Sequence, residues 1–360
     1  MKLLLLTTDI NIVGGIENVI SQLNNFFVKE YGYEIEIMSL YGNCNMTPHF
    51  NFDPRIKLSF VNLKTQTRKN KLDEIIKDLK LKKEILNIIK NKDFDIIMTF
   101  HYPINISVIL NKKYISGKII VTEHSDYYHG IGRLDMIKRK ITYRNADKVV
   151  LLNEHNKRIY KNFLDNVEVI SNPRTFISEE ISSQTNNRII TVGRLEYEKG
   201  FDRIIEMFND SFIRGSNWRL DIYGDGSQKE ELIKMIKKYD LEDIIKIHPF
   251  TKKIKQEFLK SSIYVLPSRT EAFSIVLLEA MECGLPCISF DLSGPREIIK
   301  NGEDGFIVQG NNNNDFREKL KILMNDCELR DLYSKNAKEN VKRFDIKNIA
   351  IKWEELFKEL

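Results

Sequence analysis

Short apolar runs alternate with longer amphipathic segments along this chain of 360 residues, and the alternation starts afresh after residue 187. Apolar runs of this length are typical of buried strands, and the segments of helical period between them indicate helices. In the first half the predicted strands are residues 3–7, 35–40, 96–100, 118–122, 149–152 and 167–170. In the second half they are residues 189–192, 219–223, 245–247, 263–266, 286–290 and 305–308. The pattern predicts two parallel sheets, each covered by helices on both faces.

A polar stretch from Pro173 to Asn187 separates the two halves, and its Ser, Thr and Asn residues favour a loop. The predicted organisation is an N-terminal Rossmann-like domain at 1–172, a linker at 173–187, a C-terminal Rossmann-like domain at 188–342 and a terminal helix at 343–360. Ligands of doubly wound sheets bind beyond the carboxyl ends of the strands. Two such domains facing each other therefore predict a site in the cleft between them.

Composition excludes several classes of protein. With 42% hydrophobic residues the chain can bury two cores, so it is neither disordered nor fibrous. The four cysteines lie at 44, 283, 287 and 327 without the paired spacing of a metal site, which favours free thiols in a reducing compartment. The first residues turn polar too soon for a signal-peptide core, and no apolar run reaches membrane-spanning length. We therefore expect a cytoplasmic protein.

The net charge of +5 is concentrated in the first half, where residues 1–180 carry 27 Lys and Arg against 21 Asp and Glu. Part of the excess lies in a predicted helix at 134–144, beside Leu134, Ile137 and Ile141. The basic residues in and next to this helix are Arg133, Lys138, Arg139, Lys140 and Arg144. Such a helix suits peripheral contact with an anionic membrane, although a solvated lysine-rich face has the same composition. The excess is too small to indicate a nucleic-acid partner.

The strongest motif follows the predicted strand at 189–192 and reads Gly193-Arg194-Leu195-Glu196-Tyr197-Glu198-Lys199-Gly200. Arg194 and Lys199 stand on one strand-to-helix turn, so both can reach a single bound anion. An arginine fork and a lysine point charge together neutralise a diphosphate, which then leaves more readily as charge builds on it. Surface cations are also common in loops, so this motif alone favours function only modestly.

A second motif runs from Glu271 to Ala280, after the predicted strand at 263–266. Glu271 lies in the loop and Glu279 about two helical turns later, so both are expected on one side of the opening end of a helix. Backbone N–H groups at Ser274 and Ile275 would add an anion site at the helix N-terminus. A plain amphipathic helix is the alternative, but an unpaired carboxylate in so apolar a stretch would be costly.

A third motif is Gly14-Gly15, in the loop after the first strand, where glycine lets the backbone approach a ligand. The three-glycine spacing of dinucleotide-binding enzymes is absent from this loop, which weighs against a nicotinamide enzyme.

In combination these motifs, with Gly294-Pro295-Arg296-Glu297-Ile298-Ile299, resemble family 4 of the retaining glycosyltransferases over the whole chain. The resemblance implies an α/β protein of the GT-B fold, in which two Rossmann-like doubly wound domains face a cleft and the terminal helix crosses back to the first domain. It implies that Arg194 and Lys199 hold the donor diphosphate, Glu279 the ribose and Glu271 the transferred sugar. Ser274 and Ile275 would complete these contacts, with Gly14 and Gly15 near the phosphates.

The resemblance also bears on the chemistry. It implies front-face attack, in which the departing phosphate helps to deprotonate the acceptor, and a histidine close to the reacting sugar carbon. His124, at the end of the strand 118–122, is the candidate, and His101 is placed similarly but ranks lower; a lone histidine is as often structural. Asp93 and Asp95 precede a strand, where a capping role is favoured over metal binding, so no metal and no cofactor are predicted.

The donor is expected to be a UDP-sugar, carrying a hexose or an N-acetylhexosamine, and the acceptor a saccharide, lipid-linked if the basic helix docks on a membrane. His248-Pro249-Phe250 replaces the glycine that the family commonly has near the base. Uridine is therefore expected only because bacterial members of the family commonly use UDP-sugars. Two alternatives remain open. One is a UDP-sugar 2-epimerase of the same architecture, and the other is a non-catalytic subunit that binds a sugar nucleotide.

Overall fold

The computed structural model describes residues 1–63, 71–90, 92–127 and 132–360, with side chains from 76 onward in the second of these ranges. Contacts between residues divide the chain into two compact units. The first unit comprises Met1–Pro173 and Ile346–Leu360, and the second comprises Arg174–Asp345. Residues 174–187, predicted as a linker, lie in the second unit.

The first unit is built on a parallel sheet of seven strands. In chain order they are β1 (Lys2–Thr7), β2 (Glu34–Ser39), β3 (Lys57–Phe60), β4 (Ile96–Thr99), β5 (Lys118–Glu123), β6 (Lys148–Leu151) and β7 (Val167–Val169). Their order in the sheet is β3-β2-β1-β4-β5-β6-β7. Leu3, Leu4, Leu5 and Leu6 of β1 are at most 1% exposed, because helices cover both faces of the sheet.

The sequence did not predict β3. This strand lies at the edge of the sheet, and none of its residues is fully buried. Because only one neighbour pairs with it, it needs no continuous apolar run, and its sequence Lys-Leu-Ser-Phe carries little strand signal.

Six helices belong to the first unit among the residues that the structure describes. They are α1 (Gly15–Phe26), α2 (Lys71–Ile89), α3 (Tyr102–Ile109), α4 (Arg133–Thr142), α5 (Glu154–Lys161) and, at the end of the chain, α14 (Ile346–Lys358). The stripe of Ile349, Trp353 and Phe357 on α14 is buried. The Phe357 ring lies 5.7 Å from that of Phe27, in the helical turn after α1. The terminal helix is thus part of the first unit, as the predicted fold requires.

The second unit has a parallel sheet of six strands in the order β10-β9-β8-β11-β12-β13. They are β8 (Arg188–Val192), β9 (Arg219–Tyr223), β10 (Ile245–His248), β11 (Ile263–Leu266), β12 (Cys287–Phe290) and β13 (Gly305–Val308). Its helices are α6 (Phe201–Phe208), α7 (Ser211–Arg214), α8 (Lys229–Lys238), α9 (Ile254–Leu259), α10 (Ile275–Glu282), α11 (Ser293–Ile298), α12 (Asn313–Asn325) and α13 (Cys327–Asn340). Apolar residues of this sheet and of α6 form one buried core. The predicted α/β fold with two Rossmann-like domains is confirmed.

Candidate active site

The turn that carries Arg194 and Lys199 follows β8 and is fixed by close backbone packing. Its middle residue, Leu195, is fully buried, and the Leu195 N–H donates to the Asp225 carbonyl at 2.8 Å. A Cβ on Gly224 would come 1.9 Å from the Gly193 carbonyl oxygen, so this approach requires glycine. The loop Gly224-Asp225-Gly226 therefore supports the cationic turn.

Lys199 ends a short 3₁₀ turn, Tyr197–Lys199, and is followed by Gly200 in the left-handed conformation at φ 67°. A Cβ on Gly200 would meet the Pro267 carbonyl oxygen at 2.1 Å. Glycine is required here for both reasons, and it allows the turn to press against the loop that follows β11.

Lys199 and Glu271, on neighbouring loops, are in direct contact. The Lys199 ammonium donates to Glu271 Oε2 at 2.8 Å, and the side chains are 22% and 10% exposed. A charge-assisted hydrogen bond of this length between half-buried groups orients both side chains. Two of the predicted site residues are thereby brought together by the fold.

Arg194 behaves differently from Lys199. Its side chain is 73% exposed, and Nη2 lies 3.4 Å from Glu198 Oε1. It shares the turn with Lys199 but is held by no buried partner among the described residues. An exposed guanidinium on a fixed turn is free to reorient toward an anion.

Glu279 lies on α10, which Ser274 caps by accepting a hydrogen bond from the Leu277 N–H at 3.4 Å. The Glu279 carboxylate accepts a 2.6 Å hydrogen bond from the hydroxyl of Thr175. Burial raises the pKa of this carboxyl to about 7, and the Thr175 hydrogen bond opposes the rise. A carboxyl poised near neutrality in this way is typical of functional sites.

The loop that holds Glu271 is supported by the turn at the start of α11. The Gly294 N–H donates to the Glu271 carbonyl at 2.9 Å, and the Ser293 hydroxyl donates to the same oxygen at 3.1 Å. A Cβ on Gly294 would lie 2.7 Å from the backbone of Ala272. The sequence indicated the motif around Gly294 but no role for it, and gave no sign of Ser293; in the structure both residues fix the backbone of Glu271.

In the first unit, Gly14 and Gly15 stand at the start of α1. Gly14 is the residue before the helix, and a Cβ there would come 2.1 Å from Glu17 Oε2. Glycine at this position makes room for the buried side chain of Glu17. The role of these glycines toward a donor stays a prediction.

His101 and His124 follow the adjacent strands β4 and β5. His101 Nε2 lies 3.4 Å from the Thr8 hydroxyl, and His124 Nε2 lies 3.2 Å from the Thr122 hydroxyl. Burial lowers the pKa of His101 to about 4; burial and the nearby His101 lower that of His124 to about 3. Each ring has a buried Nδ1 with no hydrogen-bond partner in the described structure. Both imidazoles are therefore neutral at physiological pH and can exchange hydrogen bonds with a hydroxyl.

Arg139 is not on the surface face that the sequence assigned to it. It is fully buried, and its Nη2 lies 3.5 Å from Glu123 Oε2, next to His124 in sequence. Its guanidinium also lies 5.0 Å from the ring centre of Tyr102. The inward side of α4 carries this cation, where it is the buried partner of Glu123 at the end of β5.

Comparison with known proteins agrees with this geometry. A family described as Glycosyltransferase Family 4 matches residues 13–174, and one described as Glycosyl transferases group 1 matches residues 173–340. The amylovoran biosynthesis glycosyltransferase AmsD of Erwinia amylovora is 30% identical over 99% of each chain. The chain belongs to glycosyltransferase family 4.

Two further proteins resemble this glycosyltransferase over nearly its whole length. One is the Campylobacter jejuni enzyme named GalNAc-alpha-(1->4)-GalNAc-alpha-(1->3)-diNAcBac-PP-undecaprenol alpha-1,4-N-acetyl-D-galactosaminyltransferase, 24% identical over 100% of this chain and 99% of its own. The other is S. aureus TarM, in a complex with fondaparinux, alpha-GlcNAc-glycerol and UDP, with a TM-score of 0.77 and 15% identity over 99% of each chain. TarM is similar in fold.

In the described part of this glycosyltransferase no three His, Cys, Asp or Glu side chains are grouped so as to hold a metal ion. Asp95 Oδ2 instead accepts a 2.7 Å hydrogen bond from the Lys2 backbone N–H, across the amino ends of β1 and β4. In the same described residues, no helix has the length and apolar character needed to span a bilayer.

A cleft of about 500 Å³ opens in the first unit at the amino ends of β1, β2 and β3, lined by charged residues such as Lys2, Glu36 and Arg55. Parallel sheets bind their ligands at the opposite, carboxyl ends of the strands, where the predicted site residues lie. We therefore assign this cleft no part in the active site.

Proposed function

We propose that this glycosyltransferase moves a hexose or an N-acetylhexosamine from a UDP-sugar onto a lipid-linked saccharide, with retention of configuration, in cell-envelope polysaccharide synthesis. The observation that carries the proposal is the 2.8 Å contact between Lys199 and Glu271. It joins a cation suited to a diphosphate with a carboxylate suited to sugar hydroxyls. The finer points are supported by the names of the similar proteins, which include amylovoran synthesis, a PP-undecaprenol acceptor and bound UDP.

In the proposed reaction the bond between the anomeric carbon and the β-phosphate oxygen breaks, and an acceptor oxygen bonds to that carbon on the same face. The electron pair of the broken bond stays on UDP, which also takes the acceptor proton. Arg194 and Lys199 stabilise the charge that develops on the diphosphate. Glu271 orients the sugar through its hydroxyls, and Glu279 accepts hydrogen bonds from the ribose. Because the chain supplies both cations, we propose metal-independent transfer without a cofactor.

The test is turnover of UDP-, GDP- and ADP-sugars in EDTA, with and without a polyprenyl-diphosphate saccharide. Lys199→Ala and Glu271→Ala are expected to lower kcat by about 100-fold or more, the usual cost of removing a group that stabilises transition-state charge. Lys342→Ala is the matched control, because its ammonium pairs with Glu339 on the exposed surface of the same unit. NMR of the product then reports the anomeric configuration.

An inverted product would exclude retention, and full activity of Glu271→Ala would exclude the proposed role of that carboxylate. UDP binding without turnover of any donor would favour the non-catalytic subunit instead. Conversion of a UDP-sugar into its 2-epimer without an acceptor would favour the epimerase.

Docking on an anionic membrane is the second part of the proposal. On α4 the side chains of Leu134, Ile137 and Ile141 are 73%, 54% and 63% exposed and follow one another at helical spacing. Arg133, Lys140 and Arg144 are exposed on the same helix and just after it. Exposed apolar side chains flanked by cations are typical of helices that lie in a membrane interface.

Helix α2 extends this apolar surface. Its Ile76 and Leu79 are exposed, and Asp78 between them pairs with Lys138 of α4. The ion pair links the two helices at their exposed surface. We expect binding to vesicles with 30% phosphatidylserine that weakens with salt and is lost in Ile137→Asp, with Ile322→Asp, exposed on the second unit, as the control. Equal binding to neutral vesicles would contradict the electrostatic part, and unchanged binding of Ile137→Asp would exclude α4 as the docking surface.

A further inference from the structure

Arg269, two residues before Glu271, connects three segments of the second unit. Its Nη1 and Nη2 donate to Oδ1 and Oδ2 of Asp202, in the first turn of α6, at 2.7 and 2.6 Å. Nη1 also donates to the Tyr197 carbonyl at 2.9 Å, and the guanidinium lies 3.9 Å from the centre of the Tyr197 ring. The Arg269 backbone N–H donates to the Glu198 carbonyl at 2.8 Å.

These contacts bracket Lys199 on both sides. The residue before it, Glu198, is bonded to the backbone of Arg269, and the residue after it, Gly200, packs against the Pro267 carbonyl. The same loop continues through Ser268 to Glu271. The distance from Lys199 to Glu271 is therefore set by a short rigid connection on each side.

An arginine is required for this arrangement. Its planar fork holds both oxygens of one carboxylate while one face stacks on an aromatic ring, and a lysine has only a point charge. Both terminal nitrogens of Arg269 are already engaged by Asp202, so the side chain is built into the protein and not directed toward a ligand.

We propose that Arg269, through Asp202 and Tyr197, is a positioning residue that sets Lys199 against Glu271 for the donor diphosphate; this rests on the function proposed above. Arg269 touches neither the sugar nor the phosphates in this assignment. It acts entirely through the placement of Lys199 and Glu271.

The experiment is a thermodynamic cycle between Arg269→Gln and Lys199→Ala, with UDP affinity measured by calorimetry and donor kcat/KM by turnover. Arg269→Gln in the wild-type background is expected to lower kcat/KM by about 10- to 100-fold, because displacement of a reacting group by about 1 Å costs that much. Arg269→Gln should lower UDP affinity more than 3-fold in the wild-type background but less than 3-fold further in the Lys199→Ala background, since the residue through which it acts on the diphosphate is gone. If Arg269→Gln acted only by weakening the fold, it would lower UDP affinity by the same factor in both backgrounds.

Asp202→Asn provides a second route if Arg269→Gln folds poorly, because it keeps the side-chain volume. The double variant of Arg269→Gln and Asp202→Asn should be no worse than the more damaging single one. Arg55→Gln is the matched control, since Arg55 holds Asp53 through the same two-pronged contact on the first unit.

Equal losses in the two backgrounds, or full activity of Arg269→Gln, would overturn the positioning role. The failure of the proposed function is a separate result. In that case Lys199→Ala and Glu271→Ala would leave donor turnover and UDP affinity unchanged, whatever Arg269→Gln does.

Discussion

Replacing Glu279 by glutamine is expected to stabilise the protein at alkaline pH while weakening nucleotide binding. The pKa of the Glu279 carboxyl, on α10, is raised to about 7, and the cause is burial. The 2.6 Å hydrogen bond from Thr175 opposes this rise. A buried carboxylate without a nearby cation costs folding free energy whenever it is ionised.

The magnitude follows from the difference between the ordinary glutamate pKa of 4.5 and about 7 in the folded protein. At about 1.4 kcal/mol for each tenfold change in the equilibrium, it corresponds to at most about 3 kcal/mol. The stability linked to a raised carboxyl pKa is fully present below the pKa of that group in the unfolded chain, where both states are protonated. This stability is lost as pH rises through the folded pKa. Wild type should therefore lose about 3 kcal/mol between pH 4.5 and 8 that Glu279→Gln keeps.

The assay is urea unfolding from pH 4.5 to 8.5 of the protein with Glu279 and with Glu279→Gln, both in a Trp353→Phe background, followed by the fluorescence of Trp218 in the second unit. The two proteins should be nearly equal in stability at pH 4.5 and should diverge as pH rises to 8. Thr175→Val, which removes the opposing hydrogen bond, should move the divergence to higher pH and enlarge it. Glu339→Gln, which replaces an exposed glutamate of the same unit, serves as the control.

A constant difference between wild type and Glu279→Gln at every pH would refute the reasoning, because only titration of Glu279 links the difference to pH. UDP supplies the second half of the prediction. At pH 8 it should raise the unfolding midpoint of wild type more than that of the more stable variant, since an ionised carboxylate is the better acceptor for ribose hydroxyls. A variant both more stable and equally stabilised by UDP would leave Glu279 without its proposed role.

Three other substitutions or measurements test the described contacts. Arg139→Met should cost about 3–5 kcal/mol of unfolding free energy in denaturant titrations, because Glu123 is left buried and unpaired, and adding Glu123→Gln should recover part of it. The imidazole of His124 should stay neutral down to about pH 5 in nitrogen-resolved NMR, since burial lowers its pKa to about 3; protonation near pH 6.5 would contradict the buried environment. Gly224→Ala should lower both UDP affinity, measured by calorimetry, and the free energy of unfolding, each by about 1–3 kcal/mol, because its Cβ would lie 1.9 Å from the Gly193 carbonyl oxygen. No change in either quantity would show that the backbone of this turn can adjust.

Much of the fold follows from the sequence because its strands are buried on both faces. Leu3 to Leu6 of β1 and Ile263 to Leu266 of β11 are continuous apolar runs, and each lies inside its sheet. The edge strand β3 has no such run and was missed. The terminal helix was expected to begin at residue 343, but the chain is extended at Asp345, where ψ is 141°, and α14 begins only at Ile346. A single extended residue within an amphipathic stretch leaves no mark on its periodicity.

The sequence alone could not predict which residues the site residues contact. Lys199 and Glu271 were each identifiable because a strand-end loop with glycine or a helix start surrounds them, yet their contact joins residues 72 positions apart. Arg269 looked like any loop arginine, and Arg139 like one more cation on a basic helix. What decided both was an acid on another element, Asp202 for the first and Glu123 for the second.

The order of the strands in each sheet explains why these distant residues come together. In each sheet the chain turns back at one pair of strands, β1 and β4 in the first unit and β8 and β11 in the second, and the loops after such a pair diverge to opposite faces and leave a crevice. Lys199 follows β8 and Glu271 follows β11, so both line the crevice of the second unit. Gly14 follows β1 and His101 follows β4, and the 3.4 Å contact of His101 with Thr8 bridges the same point in the first unit. By this criterion His101, which the sequence ranked below His124, has an equal claim to a role in the reaction. His101 follows β4, one of the two strands at which the chain turns back, whereas His124 follows the neighbouring strand β5.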